Sequence, residues 1–154
     1  MEKKILYSGL FESKGVHNCD TMVIFCVDHR FEEVTYLFVK ERYKRFDLVP
    51  FAGVSKAILD ANFDDLDNIV NATLNIAFGL HNVKRVVLVG HQDCGAYGGS
   101  KAFNSVEEER NFQFDQLIKA REKILLKNPN TEVELFFASL DEREESIEIR
   151  EIKV

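Results

Sequence analysis

Apolar and polar positions follow two different periods along this chain. The runs Thr21-Met22-Val23-Ile24-Phe25 and Arg85-Val86-Val87-Leu88-Val89 are almost unbroken in apolar character. Such runs predict strands buried on both faces, over residues 21–27 and 84–90. Phe31, Val34, Leu37 and Phe38 recur at three- and four-residue spacing and predict a helix over 31–43. Residues 46–51 read as a second short strand. Pro50 denies that strand a ladder hydrogen bond, so it belongs at an edge or a strand end, and Gly53 permits the turn that follows. Asp64 or Asp65 is placed to cap a helix over 66–80, with Ile69, Ala72, Thr73, Ile76 and Ala77 on one face and His81-Asn82 at its end. Ser105 with Glu108 forms a capping box for a long helix to Lys127, stopped by Asn128-Pro129-Asn130. Glu132 to Ser139 predicts a fourth strand and 141–145 a turn. Residues 146–153 then set Ile147, Ile149 and Ile152 against Glu148, Arg150 and Glu151, the alternation of a solvent-facing strand.

Strand–helix alternation closed by a hairpin predicts an α/β fold: a mainly parallel open sheet flanked by helices, with an antiparallel C-terminal edge strand. Residues 1–20 read as an N-terminal arm, with room for a short helix, that packs on the core or on a partner subunit. Residues 21–154 read as one domain. There are no repeats, low-complexity segments or internal linkers. Sites in open α/β sheets form beyond the carboxyl ends of strands, where strand order reverses. The first and third strands, if neighbours, would define such a point.

Composition narrows the function classes. The 154 residues suffice for one domain with a real core. The net charge of −6 and pI near 5.3 disfavour nucleic acid or an anionic membrane as the main partner. No apolar run reaches the roughly 20 residues of a membrane helix, and the first ten residues lack the pattern of a signal peptide. The expectation is a cytoplasmic protein. Three cysteines in a reducing compartment point to metal binding before a disulfide.

Two motifs carry the candidate chemistry: Cys26-Val27-Asp28-His29-Arg30 after the first strand and His91-Gln92-Asp93-Cys94 after the third. Two strand ends would bring Cys26, His91 and Cys94 to one point, and two thiolates with one imidazole are a zinc donor set with an open fourth position for water. Two thiolates cancel the charge of zinc, so that water needs help to lose a proton. Asp28 is placed to orient the resulting hydroxide, and Arg30 to hold Asp28 in a bidentate pair that keeps the carboxylate off the metal. Against these stand plainer readings: buried cysteines as small core residues, and Asp28–Arg30 as a structural ion pair. Cys19 with His17 is a conceivable second metal pair, although a spare thiol on the arm is the simpler account. His81 falls at a helix C-terminus, His29 on a solvent-facing turn beside the site. Most of the 13 phenylalanines belong to the core, with Phe51 placed to line a dry pocket. Gly99-Ser100-Lys101 does not make a phosphate loop.

The pairing Cys26-x-Asp28-x-Arg30, then Gly90-His91-x-Asp93-Cys94-Gly95, closely resembles the β-class carbonic anhydrases, in order and in separation, over residues 20–154. The resemblance implies reversible hydration of carbon dioxide to bicarbonate through zinc-bound hydroxide, with one zinc per chain on a homodimer or dimer-based oligomer. It implies Cys26, His91 and Cys94 as ligands, Asp28 and Arg30 as the catalytic dyad, and Asp93 behind them. Phe51, Gly53 and Gly95 would shape the substrate pocket. The family usually shows Arg-Asn-Ala-Gly after its second strand, where this chain has Pro50-Phe51-Ala52-Gly53, and the pocket glutamine of many members has no evident counterpart. The altered loop raises two other readings: hydrolysis of a CO2-like molecule such as carbonyl sulfide or carbon disulfide, and a non-catalytic zinc-stabilised regulatory homologue.

Overall fold

The computed structural model describes residues 7–10, 17–141 and 145–154. Most of the expected arm, including any short helix over 1–6 or 11–16, and the middle of the 141–145 turn lie outside them. Five strands form one sheet in the order β2-β1-β3-β4-β5: β1 Thr21–Phe25, β2 Phe46–Pro50, β3 Arg85–His91, β4 Glu132–Leu140 and β5 Ile147–Ile152. The first four are parallel and β5 runs antiparallel to β4, as the patterning predicts. β2 lies at the edge, where Pro50 costs no inner ladder bond.

Helices cover both faces. On one, Met22, Ile24, Val86, Leu88, Leu135 and Phe137 pack into a core cluster shared by α2 Ser55–Asp60, α3 Ile69–Gly79 and α4 Val106–Lys127. On the other, Val23, Phe25, Val87, Val89 and Phe136 meet Val39 and Tyr43, at the end of α1 His29–Arg42. Alternate residues of each inner strand are thus buried on opposite sides, which explains the unbroken apolar runs.

The helices correct the sequence reading in four places. α1 begins at His29, because Asp28 accepts the Arg30 backbone N–H and acts as its N-cap. α2 was not expected at all; six residues are too short for a periodic signal. α3 begins at Ile69 rather than Leu66, capped by Asn68, whose Oδ1 accepts the N–H groups of Val70 and Asn71. Its buried face is Val70, Asn71, Leu74 and Ala77, so of the face expected from the sequence only Ala77 is buried, and Ile69 and Ile76 are exposed. α4 is capped by Ser105, which accepts the Glu108 N–H as expected; Glu108 returns its carboxylate to the Asn104 N–H.

The order 2-1-3 places the reversal between β1 and β3. The chain leaves β1 across one face to β2, then returns across the other to β3. Both motifs lie at that point, at the carboxyl ends of β1 and β3.

Candidate metal centre

Cys26 follows the last residue of β1, and His91 ends β3 two places beyond Val89, the register partner of Phe25. Gln92 anchors the next turn by donating its N–H to Ala138 O. Asp93 then adopts a left-handed conformation, φ 56°, and turns the chain so that Cys94 faces back to the sheet. The result is a buried trio: donor atoms of Cys26, His91 and Cys94 lie within 4.8 Å of one another, with the two sulfurs 3.9 Å apart. The structure thus brings together the three residues singled out from the sequence.

The protonation pattern suits a cation. His91 Nδ1 lies 2.7 Å from Gln92 O, a carbonyl that can only accept. Nδ1 therefore carries the proton and Nε2 keeps its lone pair. That Nε2 is buried with no hydrogen-bond partner, an unusual and costly condition for a polar atom. The Cys26 thiol is drawn down from its ordinary range, first by the Cys94 S–H and then by His91 and the Gly53 N–H, 3.4 Å away. Cys94 is pushed up by Cys26 and by burial. The two sulfurs are close enough for one S–H to donate to the other, and a divalent cation would displace that proton. Two sulfurs and one basic nitrogen, buried and mutually close, fit zinc.

The Asp28–Arg30 pair stands beside the trio. Arg30 Nε and Nη2 donate to both Asp28 oxygens, at 3.0 and 2.6 Å for the closest contacts. This holds Asp28 down at about 2. Arg30 also donates Nη1 to Asp93 Oδ2 at 2.8 Å and Nη2 to Asp93 O at 3.1 Å. One guanidinium therefore joins the two motifs across the strand ends. The neighbouring loop is held equally tightly. Gly53 has φ 68° and Val54, a β-branched residue, has φ 45°; such backbone persists only where its surroundings over-determine it. Phe51 packs half-buried against the core cluster, whereas the Cβ side of Gly95 is open. His29 is exposed in the first turn of α1.

Several residues escaped the sequence reading. Phe31 is buried and packs its ring against His91, centroids 4.3 Å apart. Glu109, almost fully buried, accepts the Asp93 N–H at 2.6 Å, the Ser100 hydroxyl at 2.6 Å and the Gln113 amide at 3.0 Å. This carboxylate sets the turn that carries Cys94. The available signal was the phase of α4: Glu109 and Gln113 continue the inward row of Leu117, Ala120 and Ile124. Cys19 also has unexpected neighbours: the donor atoms gathered within 4.8 Å of its sulfur and of one another belong to Asp47 and His81, and His17 is not of that group.

Among known proteins, residues 16–148 match the family described as "Putative carbonic anhydrase". An uncharacterized protein of Rickettsia conorii is 32% identical over 133 residues, covering 83% of this chain and 72% of its own length. One of Rickettsia bellii is 30% identical, covering 83% and 81%. Among solved structures, a tetrameric β-carbonic anhydrase of the ascomycete Sordaria macrospora shares the fold with TM-score 0.57 at 17% identity, covering 88% of this chain and 81% of its own. A β-carbonic anhydrase of Trichomonas vaginalis gives TM-score 0.57 at 12% identity, covering 95% and 87%.

Proposed function

The chain belongs to the β-carbonic-anhydrase-like family, and from that premise we propose that it is a zinc lyase converting carbon dioxide and water reversibly into bicarbonate and a proton. The single observation that carries this reading is the buried, partnerless Nε2 of His91 beside two sulfurs, with an arginine-clamped carboxylate next to them.

Cys26, His91 and Cys94 would hold the zinc, one ion per chain. Bound zinc supplies Lewis acidity that lowers the pKa of water towards neutrality. The other groups prepare the reaction. Asp28, ionised at every working pH, accepts the hydrogen bond of the attacking water and so directs its lone pair to the carbon of CO2. Arg30 keeps both Asp28 oxygens engaged and prevents the carboxylate from taking the place of water. Gln92 O fixes the His91 tautomer, and the Gly53 N–H withdraws charge from the Cys26 sulfur. Phe31 covers one face of His91, and Phe51, Gly53 and Gly95 line the approach of CO2. The released proton leaves to buffer, with exposed His29 available to carry it. The domain spans 21–154, and the protein works in the cytoplasm as a homodimer or dimer-based oligomer; the tetrameric Sordaria protein supports an assembled form. Among the described residues no helix is long and apolar enough to cross a membrane.

Stopped-flow CO2 hydration tests the proposal, using protein with one zinc per chain and Cys94→Ser as control. Turnover in the zinc protein alone is expected, with zinc lost from the variant. A second reading rests on Phe51, an apolar side chain in place of the asparagine of the family's usual Arg-Asn-Ala-Gly stretch: the substrate would be carbonyl sulfide or carbon disulfide. Turnover of either in place of CO2 would select it. Full zinc occupancy with no turnover of any of the three would leave the regulatory homologue.

A further inference from the structure

We propose that Cys19, Asp47 and His81 form a second divalent-metal site, at the end of the sheet opposite the Cys26 centre. Cys19 lies two residues before the start of β1, Asp47 lies on edge strand β2 and His81 lies in the turn between α3 and β3. Their ligating atoms all fall within 4.8 Å of one another. Cys19 and Cys26 flank β1, so about 20 Å of strand separates the two clusters at roughly 3.3 Å per residue. The sites are therefore chemically independent.

The backbone around this cluster is fixed without help from the side chains. Cys19 N donates to His81 O at 3.1 Å, and Lys84 N and Arg85 N both donate to Asp20 O at 3.0 Å. Asp47 is held by its pairing with Met22 across β1 and β2. Three separate chain segments thus present a thiol, an imidazole and a carboxylate at one place, a donor set suited to zinc and similar borderline cations. His81 Nδ1 and Asp47 Oδ2 are 2.7 Å apart. Tetrahedral coordination needs roughly 3.3 Å between such atoms, so the two side chains would part by about half an ångström. Burial, with the Asp47 carboxylate alongside, pushes the Cys19 thiol up to about 11; a coordinated cation deprotonates a thiol outright, so binding releases a proton.

A cleft of about 400 Å3 opens onto the cluster, and His17 lines it together with Cys19 and Asp47. It offers a solvent approach, and water would complete the coordination. Exposed Lys40, Lys44 and Arg45 stand around the same cleft. Their charge opposes hard ions held by electrostatics alone more than ions bonded to sulfur, which favours zinc over magnesium or calcium. The bound ion would tie the segment before β1 to the sheet edge and to the α3–β3 turn.

Cobalt(II) reports each thiolate bond by its charge-transfer absorption, so the metal-free full chain is titrated with cobalt(II) and its metal content measured. Two equivalents per chain are expected. Cys19→Ser and His81→Gln should each lose one equivalent and the absorption of one thiolate, while Cys94→Ser loses the other equivalent. Circular dichroism of His81→Gln and Asp47→Asn confirms that the fold is retained. A single equivalent, lost in Cys94→Ser and untouched by the Cys19 and His81 variants, would overturn the proposal. A single equivalent sensitive to Cys19 alone would uphold it while removing the Cys26 centre and the proposed function.

Discussion

At Gly53 a Cβ would stand 2.6 Å from the Cβ of Ala96, and φ is 68°. An alanine there meets both a left-handed backbone penalty and a backbone-anchored clash. Gly53→Ala is expected to cost about 2–3 kcal/mol in urea unfolding; a change below about 0.5 kcal/mol would show that the loop relaxes freely. The pH behaviour of Asp28 is equally local. Its folded pKa, about 2, lies below the ordinary carboxylate value because of Arg30. The sign follows from a depressed acid: its stabilising contribution is present above the unfolded pKa of roughly 3.9 and is lost as pH falls through about 2. Activity should therefore show no acid limb from Asp28 at any pH above roughly 4. Arg30→Ala should return the Asp28 titration, followed by carboxyl-carbon NMR, towards that ordinary value.

At the scale of the element, α3 carries two apolar rows, Ile69/Thr73/Ile76/Leu80 and Val70/Leu74/Ala77. Both have helical period, and the sequence offers no means of choosing between them; the α3 start decides, and the cap decides the start. Asn68→Ala should cost about 1 kcal/mol and Asp64→Ala less than about 0.5 kcal/mol. Equal losses in thermal unfolding would contradict the assigned cap. The sequence predicts α4 with its Ser105 cap and its end at Lys127, but not the role of Glu109 in its first turn. Glu109→Ala would strand three donors in the interior, and its expected cost is about 2–4 kcal/mol. Because two of those donors belong to the turn bearing Cys94, the variant should also bind zinc more weakly, as measured by competition with a chelator.

For the whole molecule, the sheet order makes the site. Cys26 and Cys94 are far apart in the chain and meet only because β1 and β3 pair in parallel, where the direction of strand addition reverses. Arg30 then spans the gap from Asp28 to Asp93. The assembly prediction belongs at this scale: sedimentation velocity at micromolar concentration should show a dimer or larger, and a monomer would count against it.

Strand positions, the parallel sheet with its antiparallel edge, the two motifs that supply Cys26, His91 and Cys94, and the Asp28–Arg30 pairing were all legible in the sequence. Each is written in local terms, as an unbroken apolar run, a proline at a strand end or a motif of fixed spacing, and local terms survive folding. The buried face of α3, the short α2, the packing of Phe31 on His91, the burial of Glu109 and the meeting of Cys19 with Asp47 and His81 were decided only by the tertiary structure. Each depends on which surface of one segment meets a distant one. A polar residue in a helix reads as solvent-facing until the fold places three donors around it.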